Sequence, residues 1–259
     1  YRRLLANKKF SKMKVFTVGS SEVAPLRHNP FMVLPGVSLN SHIDNLKSIF
    51  NASFSLYGPM PYILEKCLYG IYKAKGWNIT TGKHNLTKIT NFHDCRANPF
   101  IYPTIVDLKN QVNYYVKNEM DYKGELQDNI RSAIVARLES LAVGSKGFIF
   151  NTNDFMNLEE LLSQQVVFEL ENLPDDDDKA FFVGLMLSLI CEYRQSLSRR
   201  TGLESDDNLK HILVIEEAHR LLENVQTGRT SEMMGNPKGK AVSTFCNIIA
   251  EMRSLGQGI

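Results

Sequence analysis

Cysteine is scarce in this sequence, and its spacing excludes two classes of site. The four cysteines stand at positions 67, 95, 191 and 246 among 259 residues, and none belongs to a C-x-x-C pair. Zinc ribbons and disulfide frameworks both depend on closely spaced or paired cysteines. We therefore expect neither, and the reducing conditions of the cytoplasm fit the composition best.

Long apolar runs and a large excess of charge are also missing. A membrane-spanning helix needs about 18 consecutive apolar residues. The longest candidate, residues 180–190, is shorter and is interrupted by Gly184 and Ser188, so no membrane insertion is expected. The formal net charge is only +2. Any contact with nucleic acid must therefore come from a local group of cations.

A phosphate-binding loop of the form G-x-x-x-x-G-K-[ST] is absent from these residues. The segment GNPKGK at 235–240 is basic and contains glycine. Its spacing differs from that of the loop, and no Ser or Thr follows its last lysine. A complete nucleotide site is therefore not expected within this sequence alone.

The most informative feature that is present is an apolar run ending in two acids. Residues 212–215 read ILVI, and Glu216 and Glu217 follow at once. Fully buried strands are continuous apolar runs, and an open α/β sheet binds its ligand at the carboxyl ends of its strands. One acid there can orient Mg²⁺ through water, and the next can position a water against a phosphate. This pattern is typical of a Walker B segment. The alternative is a core strand followed by a helix with an acidic first turn.

Segments on both sides of this run carry a family resemblance. Three follow the strand: IEEAHRLL at 215–222, GNPKGKAV at 235–242 and AEMRSLGQG at 250–258. Others precede it: NPF at 29–31, PGV at 35–37, HID at 42–44, GPMP at 58–61, GW at 76–77 and the helical stretch 122–147. In this order they resemble the HerA family of hexameric DNA-translocating ATPases, which is related to FtsK-type translocases and VirB4-type secretion ATPases. The resemblance covers nearly the whole sequence.

The resemblance implies an α/β fold, namely a RecA-like P-loop ATPase core of the additional-strand kind with an all-α helical insertion. Residues 1–35 and 146–259 would form the core, and residues 36–145 the insertion. It also places the missing phosphate loop just upstream of Tyr1 and another core strand after Ile259. The sequence would then be an interior piece of a larger ATPase, and alone it should not hydrolyse ATP.

The function that the resemblance implies is ATP-driven translocation of double-stranded DNA by a homo-hexamer. Such motors work with a nuclease or another effector protein, in DNA end processing or in defence against phage. Two alternatives remain open. One is a VirB4- or TraG-like ATPase that drives secretion or conjugation, and the other is an oligomeric scaffold whose ATPase is weak or lost.

The resemblance also assigns roles to particular residues. Glu216 would hold Mg²⁺ through water beside ATP, although most Walker B segments have Asp there. Glu217 would act as the general base or position the attacking water, and His219 would contact the γ-phosphate side or relay to a neighbouring subunit. Arg253 would stabilise charge on the transferring phosphoryl group. The alternatives are a local hydrogen bond for His219, and a salt bridge with Glu251 or a plain surface charge for Arg253.

A polar loop, residues 226–240, is the candidate DNA contact. Its cations Arg229, Lys238 and Lys240 could line the pore of a ring and follow phosphates without reading sequence. For each residue taken singly, a solvated loop is the alternative. Trp77, Tyr114 and Tyr115 could stack on bases, but their spacing favours packing roles.

Apolar periodicity predicts the individual elements. The predicted strands are residues 14–18, 148–150, 165–170 and 212–215, and the predicted helices are residues 41–54, 60–74, 124–141, 179–200 and 240–255, with one more that starts at a capping box at Thr104. Residues 75–98 are expected to be irregular. The aspartates at 175–178 are expected to favour the start of a helix through its dipole rather than to bind a metal.

Overall fold

The computed structural model describes residues 1–120, 123–173, 175–201, 209–216 and 237–259, with the backbone alone at 200, 201 and 237–245. Two short 3₁₀ helices, Arg2–Ala6 and Lys8–Phe10, open the chain. The strands are β1 Lys14–Thr17, β2 Trp77–Asn78, β3 Lys83–His84, β4 Val166–Glu169, β5 His211–Ile212 and β6 Gln257–Gly258. The helices are α1 Leu39–Phe54, α2 Met60–Ala74, α3 Phe92–Ala97, α4 Ile105–Asn118, α5 Glu125–Ala142, α6 Gly144–Phe150, α7 Leu158–Leu162, α8 Asp176–Thr201 and α9 Pro237–Ser254, with a 3₁₀ turn at Pro99–Ile101.

The strands form three small pairs, and two of these pairs are parallel. β1 pairs with β4 in the register Lys14↔Val166 to Thr17↔Glu169. β5 pairs with β6, with His211 opposite Gln257. β2 and β3 form an antiparallel pair. Parallel strands need long crossover connections, and helices supply them here. The described residues therefore form a mixed α/β structure that is mostly helical.

Local sequence sets the starts of the main helices. The Ser38 side chain accepts a hydrogen bond from the Ser41 backbone N–H at the start of α1, and Pro61 occupies the first turn of α2, where its missing N–H costs little. At α4 the predicted capping box is confirmed, because Thr104 and Asp107 each accept from the other's backbone N–H. Acids also occupy the first turn of α8, as predicted.

One hydrophobic cluster runs through most of the described elements. It extends from Val18 after β1, through the buried faces of α1, α2, α4 and α5, to Leu189 in α8. Trp77 is buried in it and donates its ring N–H to the Ile101 carbonyl at 2.8 Å, which confirms a packing role. A smaller cluster joins α8 to Ile248 and Met252 of α9. Residues from 1–35, 36–145 and 146–189 all contribute to this one core. The proposed division into an ATPase core and a helical insertion, with boundaries at 35 and 145, remains a prediction.

Several sequence predictions are wrong. Residues 148–150 were predicted as a strand but end the helix α6, with Ile149 and Phe150 buried; a short apolar run does not distinguish a strand from a buried helical turn. The segment 75–98, predicted to be irregular, contains β2, β3 and all of α3. Tyr114 is 55% exposed and is therefore not a packing residue, whereas Tyr115 is half-buried.

The predicted buried strand at residues 212–215 is also wrong in length and burial. The strand is only His211–Ile212, and Ile212 and Val214 are 60% and 77% exposed. Among the described residues β5 has a single strand partner, β6, so one edge of it is open. Residues 256–258 were expected only to end a helix, but Gln257–Gly258 forms β6.

Within the described parts of the chain, no helix is both long enough and apolar enough to cross a membrane.

Candidate functional site

The candidate site lies at the carboxyl ends of the two parallel strand pairs. Thr17 is the last residue of β1 and stands opposite Glu169, the last residue of β4. Glu216 follows β5 by four residues, in a turn, and its side chain is exposed. Three polar residues therefore follow or end three strands at the edge where α/β sheets bind ligands.

Tyr1 and Arg2 contact these three residues. The Arg2 guanidinium donates to Glu169 Oε2 at 2.9 Å and also donates to the Thr17 hydroxyl. The Tyr1 hydroxyl donates to Glu216 Oε1, and this hydrogen bond raises the pKa of Tyr1 above its usual value. Two consecutive residues at the start of the sequence therefore bond to the carboxyl ends of both parallel pairs.

The loops after β1 and β4 contact each other closely. Gly19 has φ +95°, and a Cβ atom on it would lie 2.9 Å from the Asn172 carbonyl oxygen. The positive φ and this close approach both require glycine. Gly19 therefore permits the close approach of the loops that follow β1 and β4.

The donor set suits a hard divalent cation that is shared with a phosphate ligand. Among the described residues no group of three His, Cys, Asp or Glu side chains could hold a metal by itself. Mg²⁺ is usually held by one or two carboxylates, by waters and by oxygens of the substrate phosphates. The exposed Glu216 carboxylate fits that mode of binding.

Arg253 lies on the other side of the β5–β6 pair. It is in the last turn of α9, and β6 begins shortly after it. Since β5 and β6 are parallel, Arg253 stands before the amino end of the pair, whereas Glu216 follows its carboxyl end. The Arg253 side chain is exposed and forms no ion pair within the described part of the chain. Glu251 instead accepts from Gln195 Nε2 at 2.5 Å, so the expected alternative of a salt bridge with Glu251 is not formed.

The other predicted site residues are not placed by the structure. Glu217, His219 and Arg229 lie outside the described residues. Lys238 and Lys240 are in the first turn of α9, where only the backbone is described. Their assigned roles therefore remain predictions from the sequence.

A second polar group is buried between α1 and α8. The carboxylate of Glu192 lies 3.0 and 3.1 Å from Nδ1 of His42, accepts from Asn45 Nδ2 at 2.8 Å and also accepts from the Ser188 hydroxyl at 3.4 Å. His42 and Glu192 are 2% and 1% exposed. This group is closed to ligands, so we assign it a structural role in joining the two helices.

His28 is a further buried histidine near this group. Its Nδ1 accepts from the Met156 backbone N–H at 3.2 Å. Burial, with a smaller contribution from the charge of His42, lowers the pKa of His28 to about 3. His28 is therefore neutral at physiological pH, with its proton on Nε2.

Sequence reasoning missed Thr17 and Glu169 at the candidate site. Each stands one position before the end of a predicted strand, 14–18 or 165–170, and is the last residue of the observed strand. Glu169 carries the same signal as Glu216, since it is an acid that directly follows an apolar run, here residues 166–168.

The comparisons with known proteins give one kind of support. No protein-family profile matches the sequence, and no curated protein matches it. A solved structure, that of VirB4 of Thermoanaerobacter pseudethanolicus, is similar with a TM-score of 0.61 and 16% sequence identity. The similarity covers 99% of this chain and 58% of that one. This chain therefore has a fold like that of VirB4. It spans little more than half of the length of the VirB4 chain.

Proposed function

We propose that this chain is part of a RecA-like ATPase of the additional-strand kind, in the group that includes HerA-, FtsK- and VirB4-type proteins. One observation carries the proposal: Thr17, Glu169 and Glu216 each end a parallel strand or follow its carboxyl end, in a fold like that of VirB4. Nucleotide phosphates bind at this edge in open α/β sheets. The phosphate loop itself would come from residues outside this sequence.

The residues have distinct roles in the proposed reaction. Glu216 would hold Mg²⁺ through water, and Glu217 would position the water that attacks the γ-phosphate. When bound, the cation would neutralise charge that develops on the phosphate oxygens. Tyr1 and Arg2 keep Glu216 and Glu169 oriented at the mouth of the site. His219 follows Glu217 by two residues in the sequence and is proposed to contact the γ-phosphate side or to relay to a neighbouring subunit.

Three functions are compatible with an ATPase of this group. The sequence resemblance to the HerA family favours translocation of double-stranded DNA by a homo-hexamer that works with a nuclease or another effector. The structural similarity to VirB4 supports a second candidate, an ATPase that drives secretion or conjugation, as much as it supports the first. A scaffold with a weak or lost ATPase is the third reading, and measured hydrolysis distinguishes it from both.

The test is ATP hydrolysis by the full-length protein. We expect turnover that requires Mg²⁺, is abolished by a chelator and rises when linear duplex DNA is added. Hydrolysis that is indifferent to DNA would favour the secretion reading. A full-length protein that binds ATP but shows no Mg²⁺-dependent turnover under any of these conditions would leave only the scaffold.

Arg253 is proposed to serve the nucleotide of a neighbouring subunit. It is exposed, has no ion-pair partner in the described residues and stands at the opposite end of the β5–β6 pair from Glu216. An arginine supplied across a subunit interface raises kcat by about 10³-fold or more, because it stabilises the charge of the transition state. We expect Arg253→Ala to lower turnover by that factor, with an unfolding free energy within about 0.5 kcal/mol of the wild type, as for other exposed positions.

Mixing subunits tests whether the arginine acts between subunits. Arg253→Ala and Glu217→Gln rings should each be inactive. Mixed rings contain sites in which an intact Glu217 faces an intact Arg253 from the next subunit, so turnover should reappear on mixing. Mixed rings that remain inactive, although exchange of subunits is demonstrated, would show that Arg253 acts within its own subunit or not at all.

A further inference from the structure

Positive charge is concentrated at the start of the sequence. Arg2, Arg3, Lys8, Lys9, Lys12 and Lys14 precede the first acid, Glu22. The chain has 30 cations and 28 acids in total. The part after residue 21 therefore carries the other 24 cations and all 28 acids, a net charge of −4. The small positive net charge of the whole chain comes entirely from this first segment.

Two of these six cations form ion pairs with other residues of the chain, and the other four form none with the described residues. Arg2 pairs with Glu169, and Lys14 pairs with Glu160. The other four have exposed side chains and form no ion pair with any described residue. We call these four the basic surface: Arg3, Lys8, Lys9 and Lys12.

The backbone beneath the basic surface is held in place by local hydrogen bonds. The Asn7 side chain caps the second 3₁₀ helix by accepting from the Lys9 backbone N–H at 3.0 Å, and the Ser11 hydroxyl donates to the Lys8 carbonyl at 3.0 Å. The Arg2 contacts with Thr17 and Glu169 fasten the segment to β1 and β4. The four cations therefore project from a backbone that is already held in place. When a partner binds them, little conformational entropy of the backbone is lost.

We propose that the basic surface binds the phosphate backbone of duplex DNA, outside the loop at 226–240. DNA carries a negative charge about every 1.7 Å along its axis, and cations that neutralise phosphates release counterions and so bind without reading sequence. Four unpaired cations with no acid nearby in sequence suit such a partner. The net negative charge of the rest of the chain would direct DNA towards this segment. The inference deepens the proposed function, since it gives its DNA partner a second contact.

An anionic membrane is the other extended polyanion to consider. Membrane-surface segments combine cations with an apolar face that enters the bilayer. The large apolar side chains exposed here are Tyr1, Leu4 and Leu5, at 53%, 38% and 38%, and 3₁₀ helices of five and three residues offer no continuous apolar face on which to array them. Charge without an insertable apolar face favours nucleic acid.

The experiment measures DNA affinity against salt concentration. Full-length wild type and a variant with Arg3, Lys8, Lys9 and Lys12 all changed to Gln are titrated with a fluorescent duplex, without nucleotide. Each lost phosphate contact lowers the slope of log K against log salt by about 0.9. We therefore expect the slope to fall by about 3 to 4 in the variant, equally for unrelated duplex sequences.

A matched variant removes the same charge elsewhere. Four exposed lysines without ion pairs in the described residues are changed to Gln: Lys73, Lys88, Lys117 and Lys123. Its slope should equal that of the wild type. Equal slopes for wild type and the basic-surface variant, or an equal fall in the matched variant, would overturn the proposal. So would wild-type protein that binds vesicles containing anionic lipid through these four residues but does not bind DNA.

Failure of the proposed ATPase function would be recognisable separately. Basal ATP hydrolysis is measured on the same preparations, and the basic-surface variant should keep the wild-type rate. If the basic-surface variant has a lower salt slope than the wild type but neither protein hydrolyses ATP, the proposed DNA contact is supported and the proposed motor function is rejected. Normal ATPase with unchanged slopes would reject the contact alone.

Discussion

Replacing Glu217 with Gln in the full-length protein is expected to lower ATP turnover by at least about 100-fold while nucleotide binding is retained. Glutamine keeps the shape of the side chain but removes the negative oxygen that orients and deprotonates water. Steady-state hydrolysis gives the turnover, and titration with a fluorescent nucleotide gives the affinity. The loss should therefore be confined to the chemical step.

Glu216→Gln is the matched control for this prediction, because it removes the neighbouring charge. Its main effect should be a higher Mg²⁺ concentration for half-maximal turnover, since a proposed metal ligand is lost. The two variants thus separate the role of the base from that of the cation ligand. Turnover by Glu217→Gln within about threefold of the wild type would reject the catalytic assignment of Glu217.

Local signals in the sequence predict the helices well. The boundaries predicted for α2, residues 60–74, agree with Met60–Ala74. The start of α4 follows from a capping box that involves only Thr104 and Asp107. Both features are determined by residues within one or two turns of each other, so neighbouring residues suffice to identify them.

The strands depend on partners that are distant in sequence, and several were missed. Gln257–Gly258 is a strand only because His211–Ile212 lies beside it, and the Gln257 side chain donates to His211 Nδ1 at 2.8 Å. Residues 148–150 are as apolar as a strand, but they complete a helix whose partner is the main core. No short window of sequence contains these contacts.

The candidate site shows the same limit. An acid after an apolar run pointed to Glu216, and its exposed position beyond β5 agrees with that argument. The hydrogen bond from Tyr1 to Glu216 joins residues at opposite ends of the sequence, as the buried contact of His42 with Glu192 joins α1 to α8. Such pairs are determined by the complete fold, so only the structure brings them together.

Acidification is expected to destabilise the chain through His28. Charging this ring would place an N–H at Nδ1 against the Met156 N–H that now donates to it, inside a buried environment shared with His42. The pKa of His28 is about 3 in the folded chain and about 6.5 when unfolded. The unfolded state therefore binds the proton first as the pH falls. The stability that neutral His28 contributes is complete above about pH 6.5 and is lost progressively towards pH 3, by as much as about 5 kcal/mol.

Between pH 6.5 and pH 5 ordinary carboxylates remain ionised. Burial also lowers the pKa of His211, so the part that belongs to His28 is the difference between wild type and His28→Asn. Over 1.5 pH units the loss should approach about 2 kcal/mol, measured by urea unfolding and followed by the fluorescence of Trp77, the one tryptophan of the chain. His28→Asn should flatten this dependence, since its amide oxygen can accept from the Met156 N–H without titrating. His93→Asn, at an exposed histidine, should leave the wild-type slope unchanged. If wild type and His28→Asn lose the same stability over this interval, the acid sensitivity arises elsewhere, because a variant without the ring has no imidazole to protonate at this position.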